Sequence, residues 1–146
     1  MDVKVAKTAG FCFGVKRAVE EVYKVAETTK GAVYTYGPII HNEEVVSDLE
    51  KKGVKVLETE EALKNLTEGT VIIRSHGVPK YIYELLEERN IAYVDVTCPF
   101  VLKIHRIVER ESKQGRHIII IGDPKHPEVV GIKGWCQGKA TIIKTK

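Results

Sequence analysis

The chain has 146 residues, 43% hydrophobic and 29% charged, a balance that suits a soluble globular protein with a buried core. Its longest aliphatic run, Ile118 to Ile121, is far short of the ~20 residues a membrane span needs, and Val3 and Val5 alternate with Lys4 and Lys7 where a signal peptide would be apolar. A net charge of +3, with acidic and basic residues mixed along the helices, argues against nucleic acid; three cysteines without a leader point to reduced thiols in the cytoplasm.

In chain order, β-branched runs predict strands at Val3 to Thr8, Ala32 to Tyr36, Val54 to Leu57, Val71 to Ser75, Ala92 to Val96, His117 to Ile121 and Thr141 to Lys144. Amphipathic stretches between them predict helices starting near Val15, Asn42, Thr59, Pro79, Pro99 and Pro127. Asn42 and Thr59 are good caps, and the three prolines suit a first helical turn. The alternation is that of an α/β fold. Val71 to Ile73 and Ile118 to Ile121 are apolar on both faces, which predicts mostly parallel sheets covered by helices on both sides. A boundary is expected near Val96, dividing a first lobe, 1–96, from a second and incomplete one, 97–146.

The residues that carry chemistry sit just after the strands, where open α/β sheets bind ligands. Five junctions each present one Cys or His: Gly10 to Gly14 carries Cys12, Gly37 to Asn42 carries His41, Arg74 to Pro79 carries His76, Asp95 to Pro99 carries Cys98, and Gly122 to Glu128 carries His126. Cys12 and Cys98 each enter a basic helix, where the helix dipole and nearby cations favour a thiolate. Paired thiolates of this kind point to metal or redox chemistry, and the absence of a CxxC spacing argues against a zinc finger while leaving open a cluster or a metal ion held from separate loops. His41, His76 and His126 lie at loops that open helices, where free backbone N–H groups and imidazoles bind anions. Glu128, beside such an anion, is placed to deliver a proton. His105, His117 and Cys136 read as structural residues.

The motifs Ala9 to Ala18, Gly37 to Asn42, Arg74 to Gly77, Asp95 to Pro99 and His126 to Val129 resemble those of the 4-hydroxy-3-methylbut-2-enyl diphosphate reductase family, in the same order and across essentially the whole chain. The resemblance implies a [4Fe–4S] cluster with Cys12 and Cys98 as two of its three cysteine ligands. It also implies a diphosphate held by His41, His76 and His126, with Glu128 and His126 as the catalytic residues. The implied reaction removes the substrate hydroxyl as water with two electrons and two protons, fed by reduced ferredoxin or flavodoxin, and yields isopentenyl and dimethylallyl diphosphate. The family's chain is roughly twice as long and has three α/β lobes. By this resemblance the sequence is the first lobe and part of a second, residues 1–13 being assignable to a third, with the third cysteine lacking and no activity alone. Two other readings are a non-catalytic phosphate-binding module and a transferase or hydrolase using Cys12 as nucleophile.

Overall fold

The computed structural model describes residues 2–144. Its first element, α1 (Phe13–Thr28), forms because Gly14, Ala18, Val22 and Val25 recur at helical spacing and are all buried, while charged residues cover the outer face. There follow β1 (Val33–Tyr36), α2 (Glu43–Lys51), β2 (Val54–Leu57), α3 (Glu60–Lys64), β3 (Thr70–Ile73), α4 (Lys80–Glu88) and β4 (Ala92–Asp95), then α5 (Pro99–Lys113), β5 (Ile118–Ile121), α6 (Pro127–Gly134) and β6 (Ala140–Ile143). The expected caps are made: Asn42 accepts from the Val45 N–H at 3.0 Å and Thr59 from the Ala62 N–H at 3.1 Å.

The strands form a four-stranded sheet, ordered β2-β1-β3-β4, and a two-stranded sheet, β5-β6. Every strand pair among the described residues is parallel. Alternation along β3 divides the larger core. Ile72 points into the layer containing Ala18, Val22, Leu49 and Val54, while Val71 and Ile73 point into the opposite layer with Leu63, Ile82 and Leu86. The larger sheet is thus sandwiched between helices, as its apolar central strand requires. A third cluster, Val108, Ile120, Val129 and Ile132, joins α5 and α6 to the smaller sheet.

Two expectations are corrected. Val3 to Thr8 is not a strand: Val3 and Val5 are 78% and 79% exposed, and the segment pairs with no strand among the described residues. Alternation prepares a chain for a sheet, but an unpaired strand leaves its backbone groups without ladder partners. The smaller sheet is covered on one side only. Ile120 is buried whereas Ile119 and Ile121 are 63% and 70% exposed, because α5 and α6 both pack on the same face.

Ile72 is fully buried in the middle of the larger sheet. Ile72→Ala is expected to lower the unfolding free energy by about 2–5 kcal/mol, since truncation leaves a cavity that a packed sheet cannot close. Urea denaturation measures the loss, and a change below about 1 kcal/mol contradicts the assignment of β3 to the centre of the core.

Candidate functional site

Strand order positions the first two imidazoles. From β1 the chain passes to β2 on one side and then crosses to β3 on the other, so the loops after β1 and β3 leave in opposite directions. Such a reversal opens a crevice at the carboxyl ends of the two strands. The loop after β1 turns at Gly37, anchors itself through buried Ile39 and Ile40, and presents His41. The loop after β3 presents His76 in a tight turn closed by the Gly77 N–H to the Arg74 carbonyl at 3.0 Å, with Gly77 at φ +73°. Ser75 ties the two loops together, its Oγ donating to the Ile39 carbonyl at 2.9 Å. The His41 and His76 ring centroids lie 4.5 Å apart.

His126 arrives from the second sheet as the N-cap of α6. Its ring lies 5.9 Å from that of His41 and 6.0 Å from that of His76. The Nδ1 of His126 accepts from the Glu128 N–H at 3.2 Å, so in the neutral ring the proton resides on Nε2, which is left as a donor. Glu128 is half-buried and lines, with Gly122, Asp123 and His126, a cleft of about 360 Å³. A second cleft of about 400 Å³ runs along Pro38, Ile40, His41 and Asn42.

The two thiols occupy matching positions, Cys12 as N-cap of α1 and Cys98 as N-cap of α5, and neither side chain is engaged as a cap. The Cys98 N–H donates to the Ser75 carbonyl at 2.9 Å, fixing this thiol next to the His76 turn. Gly14 brings α1 against it: a Cβ at Gly14 would lie 2.6 Å from the Cys98 Sγ. Arg17 locks the approach by donating to the Thr97 carbonyl at 2.6 Å. Cys98 is half-buried and Cys12 exposed, and all three cysteines are free. The donor chemistry, thiols at the positive ends of two helices, fits two ligands of an iron–sulfur cluster. No group of three Cys, His, Asp or Glu among the described residues converges as a metal site. Cys136 lies among the residues of the third apolar cluster, its thiol 3.6 Å from the Ile132 carbonyl.

His76 is the electrostatic centre of the cluster. Burial pushes its pKa down to about 4, helped by the charges of His41, Arg74 and His126. Arg74, whose guanidinium packs against Gly37, has its own pKa lowered by burial, and its Nε has no hydrogen-bond partner. The His76 Nδ1 is likewise buried without one. Donors with unmet capacity around three imidazoles make a place suited to an anion.

The structure therefore brings His41, His76 and His126 into one cluster, sets Glu128 beside it, and lays Cys98 against the α1 turn that follows Cys12. Two contributors were not singled out from sequence. Arg17 looks like one more basic residue on an exposed helix face, and Arg74 like a strand end; only the crossings of α1 over Thr97 and of Arg74 over Gly37 reveal them.

The family model described as LytB protein matches residues 3–146. The 4-hydroxy-3-methylbut-2-enyl diphosphate reductase of Caldanaerobacter subterraneus subsp. tengcongensis is 51% identical over 146 residues, covering 99% of this chain and 51% of that protein. The enzyme of the same name from Alkaliphilus oremlandii is 51% identical over 147 residues, covering 100% of this chain and 52% of that protein. A solved structure of (E)-4-hydroxy-3-methyl-but-2-enyl diphosphate reductase, the terminal enzyme of the non-mevalonate pathway, matches with a TM-score of 0.81 at 40% identity, covering 98% of this chain and 51% of the other. The Plasmodium falciparum reductase matches with a TM-score of 0.85 at 31% identity, covering 94% and 42%. The chain thus spans about half the length of the curated relatives it matches.

The folded pKa of His76 lies below its ordinary value of 6.5, so as pH falls the unfolded chain takes up the proton first. The stability held by the neutral ring is present above about pH 6.5 and drains away between about 6.5 and 4. An NMR titration of the ligand-free chain is expected to place the His76 midpoint near 4, and a midpoint near 6.5 contradicts the half-buried, cation-facing position.

Proposed function

The chain belongs to the LytB protein family, and on that premise we propose that its strand-end residues form part of the active site of a 4-hydroxy-3-methylbut-2-enyl diphosphate reductase. The reaction consumes an allylic alcohol carrying a diphosphate, two electrons and two protons, and gives isopentenyl or dimethylallyl diphosphate and water. The observation that carries the proposal is the meeting of three imidazoles at centroid distances of 4.5, 5.9 and 6.0 Å beside a half-buried guanidinium. A diphosphate has the charge and the many acceptor oxygens to use such donors.

His41, His76 and His126 bind and orient the diphosphate, the His126 Nε2 donating to a phosphate oxygen. Holding the substrate at this end aligns its hydroxyl with the rest of the site. Glu128 holds a proton beside the anion and gives it to the hydroxyl oxygen, which leaves as water, while His126, accepting from the Glu128 N–H, orients that residue at the start of α6. Cys12 and Cys98 would hold two irons of a [4Fe–4S] cluster. When bound, that cluster supplies the electrons and a Lewis-acidic iron for the hydroxyl. Reduced ferredoxin or flavodoxin is the proposed donor.

The four-stranded and two-stranded sheets are taken as belonging to separate α/β lobes, divided near Val96. A cytoplasmic setting is supported by three free cysteines. No helix among the described residues is long and apolar enough to cross a membrane. With two strand-end thiols, the 146-residue chain is proposed to be inactive by itself.

Isothermal titration of the purified chain with inorganic pyrophosphate is expected to show binding that weakens about tenfold or more in His41→Ala and in His126→Ala, the loss expected for a charge-assisted hydrogen bond. Absence of pyrophosphate binding, or equal affinity in the variants, contradicts the proposed diphosphate site. Turnover by the 146-residue chain after anaerobic iron and sulfide reconstitution contradicts the proposed inactivity.

A further inference from the structure

His105, which reads from sequence as an ordinary helix residue, is the only ionisable side chain in the buried core among the described residues, at 1% exposure in the middle of α5. Its ring is held by parts of three elements. A Cβ at Gly77 would lie 2.6 Å from its Cε1, and one at Gly131 in α6 would lie 3.4 Å from its Nε2. Trp135, just after α6, stacks on it with centroids 5.2 Å apart and planes 18° from parallel, while its own indole N–H donates to the Val78 carbonyl at 2.9 Å. Gly77 immediately follows His76, α6 is capped by His126, and α5 starts directly after Cys98.

Neither ring nitrogen of His105 has a hydrogen-bond partner among the described residues. An aliphatic side chain would fill buried space without two orphaned polar atoms, so burial alone does not account for an imidazole here. What the slot favours is a flat ring: its face stacks on the Trp135 indole, while its Cε1–Nε2 edge meets the Gly77 turn so closely that a Cβ there would clash and lies at ordinary contact distance from Gly131. Burial lowers the His105 pKa to about 4, so the ring is neutral near pH 7 and adds no charge beneath the cluster.

We infer that His105 is a positioning residue, a flat spacer between the Gly77 turn and α6 that sets the distance from His126 to His76 and His41. The inference rests on the reading that the three imidazoles act on one ligand. It makes a distinction within the cluster. His41 and His76 both belong to the larger sheet and are tied through Ser75. His126 comes from α6, which meets the Gly77 turn at His105 and is further tied to that side by Gly134 against Pro79 and by the Trp135 N–H on the Val78 carbonyl.

The test is the set of ring-to-ring nuclear Overhauser contacts among the three imidazoles in the ligand-free, full 146-residue chain carrying His105→Ala. Circular dichroism first establishes that the variant is folded. The expected result is that the His41–His76 contact survives while both contacts to His126 fall at least twofold in intensity. All three contacts intact in the folded variant, or all three lost together, overturns the inference, because a residue that merely fills space would not loosen one imidazole selectively. If the alanine variant does not fold, His105→Gln, which keeps the bulk but lacks the ring, is expected to lose the same two contacts, and their retention overturns the inference equally. Pyrophosphate titration of the unsubstituted chain tests the underlying reading separately, so failure of the ligand site and failure of the spacer give different results.

Discussion

Parallel pairing constrains everything in this molecule. Every strand pair among the described residues runs the same way, so every return passes through a helix and every strand delivers its chain to one edge of its sheet. Each helix that follows starts at that edge, with its first N–H groups unsatisfied and its dipole positive. In the larger sheet the order β2-β1-β3-β4 adds a reversal between β1 and β3, and there the His41 and His76 loops part. A thiol or an imidazole placed three to five residues after a strand, as His41, His76, Cys98 and His126 are, is therefore sent to the electropositive rim of its sheet.

The rim is kept in register by a short run of main-chain ties rather than by bulk packing. Ser75 links the His41 loop to the Cys98 junction, taking the Ile39 carbonyl with its hydroxyl and giving its own carbonyl to the Cys98 N–H. Arg17 brings α1 to the same junction. Across the second sheet, the seam is made by Gly77, His105, Gly131 and Trp135. Apart from the Thr35 hydroxyl within β1, the buried side-chain polar atoms without partners among the described residues belong to Arg17, Arg74, His76 and His105. Unmet hydrogen-bonding capacity is thus concentrated along the rim and beneath it, as in sites where local stability is given up for ligand affinity.

Most of the fold could be read from the sequence because its signals are local. Asn42 and Thr59 cap the helices they announce, Pro99 and Pro127 open theirs, and the apolar run at β3 forms a strand covered on both faces. The positions of His41, His76, Cys98 and His126 are legible for the same reason, since a strand end followed by a helix start is a pattern within a few residues, whereas Cys12 opens α1 with no strand before it among the described residues. The signals that misled or stayed silent depend on distant partners. Val3 to Thr8 alternates like a strand but pairs with no strand among the described residues, and the isoleucines of β5 read as doubly buried although helices pack on only one of their faces. His105 is indistinguishable in sequence from any helix-interior histidine until Gly77 and Gly131 close on it.

The central claim, that three histidines from two separate sheets serve one anionic ligand, is tested most directly by an anaerobic crystal structure of the chain with inorganic pyrophosphate. The expected result is one pyrophosphate with oxygens within hydrogen-bond reach of ring nitrogens from His41, His76 and His126 together. Pyrophosphate bound away from these rings, or rings that remain unliganded at saturating concentration, would contradict it.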